Sequence, residues 1–188
     1  MHSDPLSIHP NLSPASKALI REQFSALTDD PAPQKEVADA FQRLEIPADE
    51  LRRCGGFIPG ERSRHEIAKC DAWVMLAIFW DNTKSPIHDH EQSDCGFHVV
   101  DGEVEETRYK VIKGDIVRPI ATRILEAGEM GRSKADAIHC LGNPKATGGR
   151  SITLHLYCPI LGYDSMGIYR VASEVTIRAF EDSSKASA

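Results

Sequence analysis

Pro86-Ile87-His88-Asp89-His90-Glu91-Gln92-Ser93-Asp94-Cys95, running on to Asp101-Gly102-Glu103, is the stretch whose reading decides the fold. Side chains of an extended backbone alternate faces, so His88 and His90 present both imidazoles on one side. Imidazole is a ligand for iron, zinc, copper and nickel. Two strand histidines by themselves are often only a solvated face, and the continuation gives them weight. Asp101-Gly102 is a strong type I′ hairpin signal. A strand over 95–100 therefore turns there and returns through Val104, Thr107, Tyr109 and Val111.

Outward from this hairpin the chain reads as β-structure. Trp73-Val-Met-Leu-Ala-Ile-Phe-Trp80 is a buried strand. Further β-like segments at 103–112, 115–118, 122–127, 136–140, 151–158, 166–172 and 174–180 are separated by Gly, Asp, Asn or Pro. Many short strands with turn signals predict a sandwich or barrel. Before position 62 the period is helical. Ser13-Pro14 reads as an N-cap with proline at the first helical position. Leu19, Ile20, Phe24 and Leu27 extend that helix over 14–28. Val37, Phe41 and Leu44 mark a second helix ending before Pro47, and a third spans 48–53 and stops at Gly55-Gly56. Residues 1–12 carry little pattern and are expected to be loose. The organisation predicted is one domain: a helical segment over 1–62 packed on a barrel of 63–180, with a disordered polar tail at 181–188.

Composition narrows the function classes. The net charge is −6, and no cluster of Lys or Arg exceeds two adjacent residues, which argues against a nucleic-acid or anionic-membrane surface. The longest apolar run, Ala72 to Trp80, is too short to span a bilayer, and no basic-then-apolar leader is evident. Five cysteines without a CxxC pair argue against a disulfide framework or zinc ribbon. A cytoplasmic monomer with a small-molecule partner is the expectation.

A metal needs a third histidine, and His139 is the best candidate, at the end of an apparent strand Ala135 to His139 with Asn143 following. The segment Ser151–Pro159 carries a second signal. Period two puts Thr153, His155 and Tyr157 on one face, and Ile152, Leu154 and Leu156 on the other. On an inward face Thr153 would orient His155, and His155 would fix the Tyr157 hydroxyl, since buried polar groups are expected to be paired. On an outward face the same three residues would simply be solvated.

The spacing His-x-His, four residues, Cys95, six residues, Gly102 resembles the first cupin motif, and His139 with Asn143 resembles the second, without its usual Pro-x-Gly. Cupins are jelly-roll type β-barrels holding one metal. Cys95 stands where most cupins have a glutamate ligand. With Glu106-Thr107 and Leu154-His155-Leu156-Tyr157 followed by proline, the chain from about Arg64 to Pro159 resembles the cysteine dioxygenase (thiol dioxygenase) family. That resemblance implies a mainly β cupin fold with N-terminal helices, and Fe(2+) held by His88, His90 and His139. It also implies a Cys95–Tyr157 thioether, catalytic roles for Tyr157, Cys95, His155 and Thr153, and oxidation of L-cysteine by O2 to cysteine sulfinic acid. Arg64 matches the family's substrate-binding arginine. Two residues before it the family has a tyrosine and this chain has Arg62, which leaves Arg62 or Arg170 as other carboxylate clamps.

The chemistry of the residues agrees. Cysteine in place of glutamate leaves three neutral imidazoles, so iron keeps its full double-positive charge and favours a thiolate. Cys158-Pro159 keeps the proline that accompanies cysteine-using members. Three other readings compete: a dioxygenase for another small thiol such as 3-mercaptopropionate, a non-catalytic metal-binding cupin, and a zinc-dependent isomerase-type cupin, which Cys95 disfavours.

Overall fold

The computed structural model describes residues 5–144, 149–161 and 166–173. Three helices, α1 (Pro14–Phe24), α2 (Gln34–Arg43) and α3 (Ala48–Cys54), precede nearly all of the sheet. The strands are β1 (Ser7–Ile8), β2 (Arg62–Lys69), β3 (Val74–Asp81), β4 (Ile87–His88), β5 (Asp94–Asp101), β6 (Glu103–Lys113), β7 (Ile116–Glu126), β8 (Met130–Ser133), β9 (Ile138–Gly142), β10 (Arg150–Cys158) and β11 (Ile168–Val171). Six form a sheet ordered β1-β2-β3-β10-β5-β8, and the other five close on themselves as β11-β4-β9-β6-β7.

The unbroken apolar run of β3 has a direct cause: both its faces are covered. Met75, Ala77 and Phe79 pack with Ile20, Phe24, Phe41 and Leu51 of the helices, whereas Val74, Leu76, Ile78 and Trp80 point into the barrel. β10 divides the same way. Ile152, Leu154, Leu156 and Cys158 face the helices, and Thr153, His155 and Tyr157 are buried on the other side. That inward burial removes the solvated reading of these three polar residues. Between β5 and β6 the chain turns at Gly102, whose φ is +72°. A Cβ there would lie 2.4 Å from the Arg150 carbonyl oxygen, so the hairpin needs glycine twice over.

Several sequence expectations need correction. Ser7 and Ile8 pair with Lys69 and Ala68, and Leu6 and Leu12 are buried, so the stretch from residue 5 is docked on the sheet edge. Two isolated leucines make no period, and only tertiary packing gives them a role. α1 ends at Phe24 because the Ser25 hydroxyl bonds the Arg21 carbonyl and the Trp73 indole takes that of Leu27 (2.8 Å). The segments 115–118 and 122–127 are one strand, with a register irregularity opposite Arg108 and Tyr109 that accommodates Pro119 beside Ile120. His139 lies inside β9 rather than at a strand end, since 134–137 form a turn closed by Ala137 N–H on Lys134 O. The expected strand 174–180 and the tail 181–188 lie outside the described residues. No helix among the described residues is long and apolar enough to cross a membrane.

Candidate metal centre

His88 on β4 pairs directly with His139 on β9, and His90 follows two residues on, just past the end of β4, so three imidazoles converge in the barrel. All three are buried, and one ligand nitrogen from each lies within 4.8 Å of the other two. His88 Nδ1 is 2.9 Å from the Pro86 carbonyl oxygen and donates to it, which leaves Nε2 as the lone pair. His139 Nδ1 is 3.1 Å from Glu106 Oε1, and by the same logic its Nε2 is a lone pair. That lone pair faces His90 Nε2 at 3.3 Å. Metal–nitrogen bonds of about 2.1 Å place two ligand nitrogens roughly 3.0–3.4 Å apart at angles from square to tetrahedral. The observed separation fits a shared cation.

The electrostatics favour neutral ligands. Burial, then the nearby His139, lowers the His88 pKa to about 4, with the charges of Arg62 and Arg64 adding to the effect. Burial with His139 and His88 takes His90 to about 3. Both rings therefore offer lone pairs at neutral pH. Glu106 is the fixed anion behind the site. Its burial would raise its pKa, yet the bonds to His139 and Arg123 overcome that and hold it near 2. Arg123 Nε approaches Glu106 Oε2 to 2.7 Å, and Ser133 Oγ lies 3.2 Å from His139 Nδ1.

The β10 face supplies the second half of the centre. Trp80 Nε1–H, a donor only, bonds Thr153 Oγ1 at 2.8 Å. Thr153 Oγ1 is in turn 2.8 Å from His155 Nε2, and His155 Nδ1 is 3.3 Å from the Tyr157 hydroxyl. Assigned from this pattern, Thr153 donates to Nε2 and the Nδ1 hydrogen of His155 goes to the Tyr157 oxygen, leaving the tyrosine hydrogen to point onward. Burial keeps His155 neutral, well below its ordinary pKa. Cys95 sits directly opposite Tyr157 across β5 and β10. Burial pushes its thiol pKa up, against a hydrogen bond with Tyr157.

A cavity of about 20 Å³ joins the two halves. It holds about one water. Arg62 and Arg64, alternate residues of β2, line it beside the three histidines, His155 and Tyr157. The Arg62 guanidinium lies over the Trp80 ring, 5.5 Å from its centroid, and Arg64 is exposed at the mouth. Arg170 is elsewhere, exposed and bonded to Asp115 (2.8 Å). A larger cavity of about 510 Å³ lies between α2 and the outer sheet face and contains none of the histidines. The three histidine side chains converge on the smaller cavity.

The stretch over 62–69 gives no clear strand signal, so the shared face of Arg62 and Arg64 was not legible. The Glu106–Arg123 brace was also missed, though a lone glutamate at an inward position of β6 is the signal that could have found it. Asn143 bonds Ser151 Oγ (2.9 Å) and Thr83 N–H, which makes it a tie between loops.

A family model for cysteine dioxygenase type I matches residues 7–169. The chain belongs to that family. The cysteine dioxygenase family assignment agrees with the three-histidine site and with the barrel, which is of the cupin type. No curated protein matches the sequence. Solved structures of similar fold include a Thermus thermophilus protein, 16% identical over 61% of this chain and 99% of that one, with a TM-score of 0.49. A Klebsiella pneumoniae protein with a double-stranded β-helix domain is 17% identical, with 63% and 88% covered and a TM-score of 0.49. A cupin superfamily protein of Desulfitobacterium hafniense is 14% identical, with 62% and 91% covered and a TM-score of 0.46.

Proposed function

We propose that the protein is a non-haem iron(II) thiol dioxygenase acting on a small thiol that carries a carboxylate. The observation that supports this most is a buried set of three imidazoles with the Tyr157 hydroxyl and the arginines of β2 on the same small cavity. Iron(II) held by His88, His90 and His139 would supply adjacent open positions for a thiolate and O2. Arg64 at the mouth binds the substrate carboxylate through its planar fork. Tyr157 offers its hydroxyl hydrogen to the reacting sulfur or oxygen, oriented by the run Trp80–Thr153–His155. Ile78, Trp80, Leu141 and Leu161 keep bulk water out of the cavity. The conversion RS⁻ + O2 → RSO2⁻ places both oxygen atoms on sulfur. Sulfur loses four electrons, O2 takes four, and no external reductant is needed.

L-Cysteine is the first substrate to try and 3-mercaptopropionate the second. Cys95 and Tyr157, register partners across β5 and β10, would join as a thioether: S–H and ring C–H bonds break, one C–S bond forms, and O2 takes the two electrons and two protons. All five cysteines are free and buried, which suits a reducing compartment, and we infer a cytoplasmic location. The test is oxygen uptake by anaerobically iron-loaded protein with each thiol, with the product mass read under labelled O2. A sulfinate carrying two labelled oxygens is expected. Tight iron binding with no uptake for any thiol would instead establish the non-catalytic cupin reading. His139→Ala should lose most of its iron.

A further inference from the structure

Residues directly opposite each other on neighbouring strands share one face of the sheet. The pairs Glu106 with Arg123, Arg108 with Ala121 and Lys110 with Arg118, from β6 and β7, therefore set four cations and one carboxylate on a common face. It is the face that carries His139, because Arg108 is also the direct partner of His139 in the ladder of β6 with β9. On a chain whose net charge is −6 this is a local reversal of sign.

The carboxylate is already engaged. Glu106 Oε1 lies 3.1 Å from His139 Nδ1, and Oε2 receives Arg123 through Nε and Nη2, both at 2.7 Å. Arg108 Nε approaches that same oxygen only to 3.6 Å, and its Nη2 donates to the Arg132 carbonyl at 2.8 Å. A guanidinium has five donors, and these contacts use two of Arg123 and one of Arg108. Both side chains are nearly half exposed, at 46% and 42%. One row nearer the hairpin tip, Lys110 and Arg118 are exposed and face each other across the ladder. Like charges placed directly opposite destabilise a strand pair, and an anion between them relieves the repulsion.

The shape agrees with the charge. A cleft of about 200 Å³ opens on this face, lined by Glu106, Arg108, Ala121 and Arg123. Ala121, opposite Arg108, is the small residue that leaves the cleft open. Both guanidiniums reach toward one carboxylate oxygen, so they are close enough together to share one tetrahedral anion. A phosphate group, close to doubly charged at neutral pH, presents oxygens in more than one plane to two planar forks.

We propose that this cleft binds a phosphate group, either inorganic phosphate or that of a small phosphate monoester, between Arg108 and Arg123, with Lys110 and Arg118 at the outer rim. The site lies on the Oε2 side of Glu106, with His139 on the Oε1 side, and it stands whichever thiol the protein takes.

The test is isothermal titration calorimetry of the iron-loaded full-length protein with inorganic phosphate and with glycerol 3-phosphate. At least one probe should bind with a dissociation constant below about 1 mM in about 0.1 M chloride, and more weakly as chloride rises. Tighter binding of glycerol 3-phosphate assigns the site to a monoester, and equal or tighter binding of inorganic phosphate assigns it to the free ion. Ala121→Leu fills the cleft without changing a charge or a histidine, and Arg108→Gln and Arg118→Gln each remove one cation. Ala121→Leu and Arg108→Gln should each weaken binding about tenfold or more, the loss expected for a hydrogen bond to a charged group, and Arg118→Gln should weaken it less. Lys69→Gln, on β2, should leave it unchanged. No heat from either probe would overturn the inference. So would binding that survives Ala121→Leu and both arginine changes, which would mean phosphate on the iron or an adventitious ion only.

Discussion

Glu106→Gln isolates the brace behind the metal centre. In the native chain Oε1 accepts from His139 Nδ1 at 3.1 Å and Oε2 from Arg123 Nε at 2.7 Å, so both carboxylate oxygens face donors. Glutamine has nearly the same shape but only one acceptor oxygen. Whichever partner it keeps, its NH2 then confronts the other donor. If it keeps Arg123, His139 loses the acceptor that fixes its Nε2 lone pair. If it keeps His139, the amide meets a guanidinium. Removing an outer partner of a ligating histidine typically weakens metal affinity about 10–100-fold, or roughly 1.4–2.7 kcal/mol. The assay is an anaerobic iron(II) titration of apo-protein against a chromogenic chelator, with far-UV circular dichroism to confirm the fold. A dissociation constant within twofold of wild type, in a folded variant, would refute the reasoning and reduce Glu106 to a buried ion-pair partner of Arg123.

Two further outcomes are expected. Protein that has turned over with substrate should contain a species about 2 Da lighter, the mass of two hydrogens, and Cys95→Ser should abolish it; a Cys95 that stays fully alkylatable after turnover would sink the thioether. His98, whose Nε2 donates to the Phe41 carbonyl (2.9 Å), has its pKa lowered by burial, against the pull of that carbonyl. The unfolded chain therefore takes up this proton first as pH falls below about 6.5, and stability is lost from there down to the folded pKa. In melting-temperature profiles from pH 7 to 5, His98→Gln should fall less steeply than wild type, and parallel profiles would remove His98 from the acid response.

The fold was legible where its cause was local. The Gly102 hairpin, the apolar run of β3 and the alternation of β10 each follow from a period or a turn residue that one segment contains. The triad was legible because His-x-His on an extended backbone has one geometric outcome, and His139 was the natural completion. What the sequence hid depends on distant partners. β1 exists only because β2 offers an edge, and the single course of β7 depends on β6 accepting a register irregularity opposite Pro119 and Ile120. In the sequence Arg62 stands only as a departure from a family tyrosine. Its place beside Arg64 on the cavity appears only once 62–69 is known to be a strand.

The residue between the two neighbouring histidines has a different task. Asp89 faces away from them. Its Oδ1 accepts the Gly167 N–H at 3.0 Å, its Oδ2 accepts the Tyr169 hydroxyl at 2.6 Å, and its own N–H bonds the Gly167 carbonyl at 3.2 Å. A Cβ on residue 167 would lie 2.5 Å from Oδ2, so any other residue there would push the Asp89 carboxylate aside. β11 is the four-residue strand that closes the ring between β4 and β7, and Asp89 is its latch. Three consecutive positions thus alternate between two jobs, lining the three-histidine site and shutting the barrel. A deep mutational scan through 88–90 would reveal the alternation as two kinds of damage. Substitutions at 88 and 90 would give folded but inert protein, and those at 89 would give protein that loses the strand first and the cation as a consequence.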